Sequence, residues 1–216
     1  MTNIQLEQVL PSDIETRSFE LIGEELSALG RQLEPENELV IKRAIHTTAD
    51  FDYAHNLVFT PHAVRHGIEA LKRGGVIITD TNMGLAGINK KRLSAVGAEA
   101  FCFMADEDVA QQAAAHKTTR ASASMEKAAR TLGSGGRPVI FAIGNAPTAL
   151  IRLYELIKDE AISPALVIGA PVGFVNVVQS KELILTLDAT PSIVARGRKG
   201  GSNVAAAICN AMLYQI

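Results

Sequence analysis

Four short apolar runs bounded by glycine constrain this chain more than any other feature. They are GGVIITDT (Gly74–Thr81), RPVIFAIGNAPTAL (Arg137–Leu150), PALVIGAP (Pro164–Pro171) and SIVARGRKGGSN (Ser192–Asn203). Each has a β-branched core without the apolar–polar alternation of a half-exposed strand. Helical periodicity separates them, with helices expected over Pro35–His46, His62–Arg73 and Ser202–Leu213, the last N-capped by Ser202. Pro147 suits the first turn of a further helix, where its missing N–H costs nothing. A weaker strand is expected over Glu99–Met104. Strands apolar on both faces and alternating with helices imply a parallel sheet covered on both sides. The fold class is therefore α/β: a doubly wound, mainly parallel sheet with helices on both faces. Ligands of such sheets sit beyond the C-terminal ends of the strands. The loops there are Asp80–Gly87, Gly144–Thr148, Gly169–Asn176 and Gly197–Asn203.

The 216 residues show no repeat, linker or low-complexity tract, so residues 1–216 read as one domain. The stretch Ala161–Ser180 has no charge and the length of a membrane span. Pro164, Gly169, Pro171 and Gly173 break it, so a buried strand and a tight loop are expected and no membrane contact. The acidic N-terminal sequence lacks a secretory pattern, which implies a cytoplasmic protein. Cys102 and Cys209, both in apolar surroundings, give neither a disulfide framework nor a zinc ribbon. A net charge of −2 argues against sequence-independent binding of nucleic acid.

The chemistry-bearing residues lie in a few places. His46 follows Arg43 by three residues on one helical face, so an anion held by Arg43 would lie beside the imidazole. A bound carboxylate would favour the protonated ring, and the histidine would serve as general acid. A helix-end histidine bonded to the last carbonyls fits the same local sequence. His62 and His66 have zinc-like spacing but no third ligand is indicated, so a solvated helix face and no metal site are expected. In the basic loop, Arg196, Arg198 and Lys199 precede a double glycine and a serine, which suits a phosphate or carboxylate as well as a plain surface turn. Thr148 in GNAPTAL and Arg120 in AHKTTRASAS offer further anion donors, or simple turn and helix-surface roles. Asp50 and Asp52 offer carboxylates to a metal, but without a cluster of partners they fit capping or turn roles better. No nucleophile elbow, triad spacing or dinucleotide fingerprint is present. These residues suit a polyanionic small molecule better than a nucleotide.

The blocks IETRSFELIGEEL, VIKRAIHTTADFDYA, TDTNMGLAGI, KTTRASAS, AIGNAPTALIRLYELI, GAPVGFVNVVQSKEL and IVARGRKGGSNVAAAICNAML run nearly end to end. In this order they resemble the precorrin-8X methylmutase family of vitamin B12 biosynthesis. ADFDYA is more similar to the branch that handles cobalt-containing intermediates. The resemblance implies a flavodoxin-like fold and a homodimer with its site near the subunit interface. It also implies an isomerase that moves a methyl group from C-11 to C-12 on ring C of a corrinoid tetrapyrrole, giving hydrogenobyrinate or cobyrinate. His46 maps onto the family's catalytic histidine, Ser18 and Arg43 onto substrate-contacting positions, and Arg120 onto the arginine of its T-R-S segment, although Ala121 follows here. Gln179 replaces an acidic residue in the Q-S-K block. Arg43, Arg120 and Arg198 then form the carboxylate clamp, with Ser18 and Thr148 as neutral donors. No cofactor is needed, because the migrating group never leaves the substrate, and any cobalt belongs to the macrocycle. A non-catalytic corrinoid carrier and a phosphate-binding α/β protein are the competing readings. With 5% aromatic residues and no tryptophan, the expected lining is glycine, alanine and threonine rather than stacked rings.

Overall fold

The central strands lack alternation because the sheet buries them on both faces. In the computed structural model, which describes residues 6–133 and 135–216, the strands are β1 (Leu57–Phe59), β2 (Val76–Thr79), β3 (Glu99–Phe101), β4 (Val139–Ile143), β5 (Leu166–Gly169) and β6 (Ser192–Ala195). Every residue of β2, β4, β5 and β6 is buried, whereas β3 is a partly exposed edge. The sheet order is β1-β6-β5-β4-β2-β3. All neighbours are parallel except β1, which runs antiparallel to β6 with Leu57 opposite Ala195. The parallel strands thus have flavodoxin-like connectivity, reversing direction between β2 and β4.

The helices before β3 are α1 (Ile14–Ala28), α2 (Glu38–Thr48), α3 (Tyr53–Asn56), α4 (Ala63–Lys72), α5 (Asn82–Gly87) and α6 (Lys90–Ala95). After it come α7 (Glu107–Ala115), α8 (Arg120–Leu132), α9 (Pro147–Lys158), α10 (Val177–Leu185) and α11 (Ser202–Leu213). Side chains alternate across the sheet, as the pleat requires. Ile77, Ile140, Ile168 and Ile193 enter one core with α2, α4 and α11. Ile78, Phe141, Val167 and Val194 enter the other with α8, α9 and α10. No helix among the described residues is long and apolar enough to cross a membrane.

The expected helices form with boundaries moved by up to three residues. Ser202 is the first helical residue, not the N-cap; Gly201 precedes it with φ 139°, and the Ser202 hydroxyl instead pairs with Thr81 Oγ1 at 2.7 Å. Strand β1 lacks a clear signal in its own sequence because its partner, β6, lies far along the chain.

The switch point between β2 and β4 is closed by a buried carboxylate. Asp80, directly after β2, is 1% exposed and accepts N–H bonds from Gly144 (2.8 Å), Asn145 (2.8 Å) and Ala146 (2.6 Å). The first turn of α11 lies against this loop so closely that a Cβ on Gly144 would stand 2.5 Å from Ser202 Cα. Glycine is therefore required at 144.

Candidate active site

Helix α2 carries Arg43 and His46 on one face, as their spacing requires. It ends at Ala49, whose left-handed φ of 53° costs about 1 kcal/mol and turns the chain sharply toward Asp50. The Arg43 guanidinium lies between two rings, 4.7 Å from the Phe19 centroid and 4.8 Å from that of Tyr214. Its Nη2 donates to Glu15 Oε1 at 2.7 Å, and its Nε is buried without a partner. Phe19 also stacks on His46, with centroids 5.6 Å apart and planes inclined by 27°. This hydrogen bond from Arg43 holds the Glu15 carboxyl below the ordinary carboxylate range. Glu15 and Phe19 come from α1, four residues apart in one helix, and so reach the same cluster.

Arg43 and His46 line a cavity of about 260 Å³ with Gly87, Asn203, Ala206, Asn210 and Tyr214. Ala206 and Ala207 leave room beside α2, while Asn203 and Asn210 supply amides. Pockets that enclose drug-sized ligands hold ~300–1,000 Å³. This one has room for only part of a ligand of that size. Thr47, Gly87, Ala206 and Ala207 give the cavity the small-residue lining expected, with Tyr214 as its one aromatic residue, and Phe19 joins Tyr214 in flanking the guanidinium of Arg43.

The remaining expected residues lie in other places. Ser18 is in α1, with its hydroxyl donating to the Ile14 carbonyl at 2.8 Å. Thr148 Oγ1 is 2.9 Å from Thr119 Oγ1, which caps α8 by accepting from Ser122 N–H, and Arg120 is the exposed first residue of that helix. No hydrogen bond or ring contact among the described residues joins Arg120, Thr148 or Arg198 to the His46 cavity. The GNAPTAL loop is no open anion site, since Asp80 already takes the N–H groups of Gly144, Asn145 and Ala146.

The basic loop is also changed by its partners. Arg196 makes a bidentate pair with Glu182 at 2.8 and 2.7 Å. Lys199 Nζ lies 2.6 Å from both Asp50 and Asp52, and this hydrogen bonding lowers the Asp50 carboxyl and raises the Lys199 ammonium. Asp50 Oδ1 also accepts the Asp52 N–H at 3.0 Å, the turn role expected for it. Arg198 alone of the three cations has no acidic partner among the described residues; its guanidinium lies 5.3 Å over the Phe174 ring.

Beneath this loop the sequence reading missed Lys181, which is 0% exposed. Its Nζ donates to the carbonyls of Gly197 (2.7 Å) and Lys199 (2.8 Å), and burial pulls its pKa down to about 8. The lysine of QSK gave no signal of burial, because the carbonyls that receive it lie 16 and 18 residues further on. No group of three or more His, Cys, Asp or Glu among the described residues is placed to hold a metal ion.

Fold and site together define a flavodoxin-like α/β protein with a histidine beside an aromatic-flanked arginine and no nucleotide fingerprint. The sequence profile described as "Precorrin-8X methylmutase" matches residues 13–215. The chain belongs to that family, whose members are isomerases of cobalamin biosynthesis. It is 43% identical over 209 residues to the cobalt-precorrin-8 methylmutase of Leptospira interrogans, covering 94% of this chain and 93% of that protein. It is 36% identical over 197 residues to the precorrin-8X methylmutase of a Sinorhizobium species, covering 91% and 90%. The solved precorrin-8x methyl mutase of Thermus thermophilus is similar in structure, with a TM-score of 0.84 at 36% identity and coverage of 94% and 96%.

Proposed function

We propose that this chain is a cobalt-precorrin-8 methylmutase that moves a methyl group from C-11 to C-12 of the macrocycle and yields cobyrinate. The observation that carries the reading is the Arg43–His46 pair, flanked by Phe19 and Tyr214 and open to a cavity beside α11. The cobalt form is favoured because the 43% identical relative is named for it, whereas the relative named for the metal-free substrate is 36% identical. The metal is part of the substrate, and no cofactor is invoked.

In this mechanism a peripheral carboxylate of the substrate takes the guanidinium edge of Arg43, whose Nε is already buried and unpartnered. His46 gives a proton to the ring C region, which draws electron density from the conjugated system. The C-11–methyl bond breaks as the C-12–methyl bond forms, and the proton then returns to the imidazole. Reactant and product are isomers, so no oxidant or reductant enters. Arg120 and Arg198 hold further carboxylates, with Thr148 as a neutral donor and Ser18 as a second once its hydroxyl turns away from the Ile14 carbonyl, and these peripheral contacts fix the ring in a product-like shape. The active unit is a cytoplasmic homodimer with the site near the subunit interface. Purified protein incubated with cobalt-precorrin-8 is expected to shift the absorption of the conjugated ring progressively, and faster than with precorrin-8X. A spectral change confined to mixing would identify a carrier instead.

Glu15 acts in this scheme as an internal competitor for Arg43. Glu15→Gln keeps the side chain's size and removes its charge, so the substrate carboxylate no longer displaces an ion pair. KM is expected to fall about threefold with kcat nearly unchanged. A raised KM in steady-state assays would contradict this role.

A further inference from the structure

Two loops at the C-terminal edge of the sheet form one unit that the site around His46 does not include. The β5–α10 loop exposes Val172 (48%), Phe174 (78%) and Val175 (79%), three apolar side chains in a row of four. Its backbone is held in uncommon conformations at its centre and before α10, with φ 141° at Gly173 and φ 56° at Asn176. The β6–α11 loop supports it. Gly173 N–H donates to the Arg198 carbonyl at 3.2 Å, Gly201 N–H to the Ala170 carbonyl at 2.8 Å, and the Arg198 guanidinium covers the Phe174 ring. From below, the buried Lys181 ammonium binds two carbonyls on either side of Arg198, and from the side Lys199 ties the loop to Asp50 and Asp52, just past His46.

This construction has a chemical consequence. Burying an ammonium without a carboxylate is costly, and a surface turn has no need of it. Here it fixes the backbone on both sides of the one loop cation that lacks an acidic partner among the described residues, and that cation lies over a flat ring open to solvent. An apolar face with a cation at its rim complements a macrocycle that is apolar across its plane and carboxylated around its edge. We propose that Phe174 and Arg198 form a corrinoid-binding element, Phe174 packing on the macrocycle and Arg198 taking a peripheral carboxylate, with Lys181 as the positioning residue for Arg198. The proposal rests on the corrinoid reading above and adds Phe174 and Lys181 to it.

The test uses full-length protein and two stable probes, dicyanocobyrinic acid and its fully methylated ester, with dissociation constants read by absorbance titration. Phe174→Ala is expected to weaken both probes about tenfold, since it removes packing area. Arg198→Ala is expected to weaken the acid by a similar factor and leave the ester within about twofold, since it removes a charge contact. Lys181→Met is expected to weaken the acid and raise KM while kcat changes little, and to add less than about twofold in the Arg198→Ala background. Additive losses in that double variant would reduce Lys181 to a general structural role and overturn its assignment. Wild-type affinity in Phe174→Ala would overturn the platform, including the case where that variant turns from dimer to monomer in sedimentation, which would make the patch a contact between copies. If the wild type converts cobalt-precorrin-8 and Phe174→Ala binds normally, this inference alone fails. If the wild type neither converts the substrate nor binds the acid, the corrinoid reading fails and takes the inference with it.

Discussion

His46→Ala is expected to lower turnover of cobalt-precorrin-8 by ~10²–10⁴-fold, the range for losing a positioned general acid. The variant should fold normally, because the imidazole is exposed and its ring stacks on Phe19. Binding should survive as well. Arg43 keeps its rings and its Glu15 partner, so the contact that holds a substrate carboxylate does not depend on the imidazole. Single-turnover spectra separate these effects: the corrinoid spectrum changes on mixing and then stays still. Conversion at near wild-type rate would remove His46 from the chemistry. A variant that neither binds nor converts would give the histidine a binding role instead.

Asp80→Asn is expected to have the largest effect on stability. The Asp80 carboxylate lies at the switch point of the sheet with three loop N–H groups bonded to it, one to Oδ1 and two to Oδ2. Burial holds this carboxyl above its ordinary range, and the three N–H bonds oppose that shift without cancelling it. An amide has one acceptor oxygen. In either orientation its NH₂ faces at least one N–H, which loses its partner in a buried site. Hydrogen bonds to a charged group contribute roughly 1.5–3 kcal/mol each, so a loss of about 3 kcal/mol follows. For a chain of this size that corresponds to a Tm lower by about 6–12 °C. Asp80→Ala should lose more, because all three donors are then unpaired. Thermal unfolding of Asp80→Asn at the wild-type temperature would show that the loop finds other acceptors.

These two positions differ in how visible they are from the sequence. His46 and Arg43 stand three apart in a helical pattern, so local geometry alone puts them side by side. Asp80 meets amides 64 to 66 residues away, and nothing near TDTNMG marks its carboxylate as a loop clamp. The same contrast holds for the basic loop. Its three cations are plain in RGRKGG, but Glu182, Asp50 and Asp52 reach two of them from other elements and leave Arg198. Phe19 and Tyr214 belong to the site because α1 and the end of α11 both pack beside α2, a fact that neither segment carries in its own composition.

The apolar runs bounded by glycine determined the doubly wound sheet, because strands buried on both faces must be apolar on both. Helical spacing determined the Arg43–His46 pair, because i and i+3 face one way on any helix. Tertiary structure decided which charges remain available to a ligand. An ion pair forms wherever folding brings opposite charges within a few ångströms, and sequence separation does not measure that distance. It also decided that a lysine in α10 is buried under a loop beyond β6, since the carbonyls that receive its protons exist as a site only after the two elements have met.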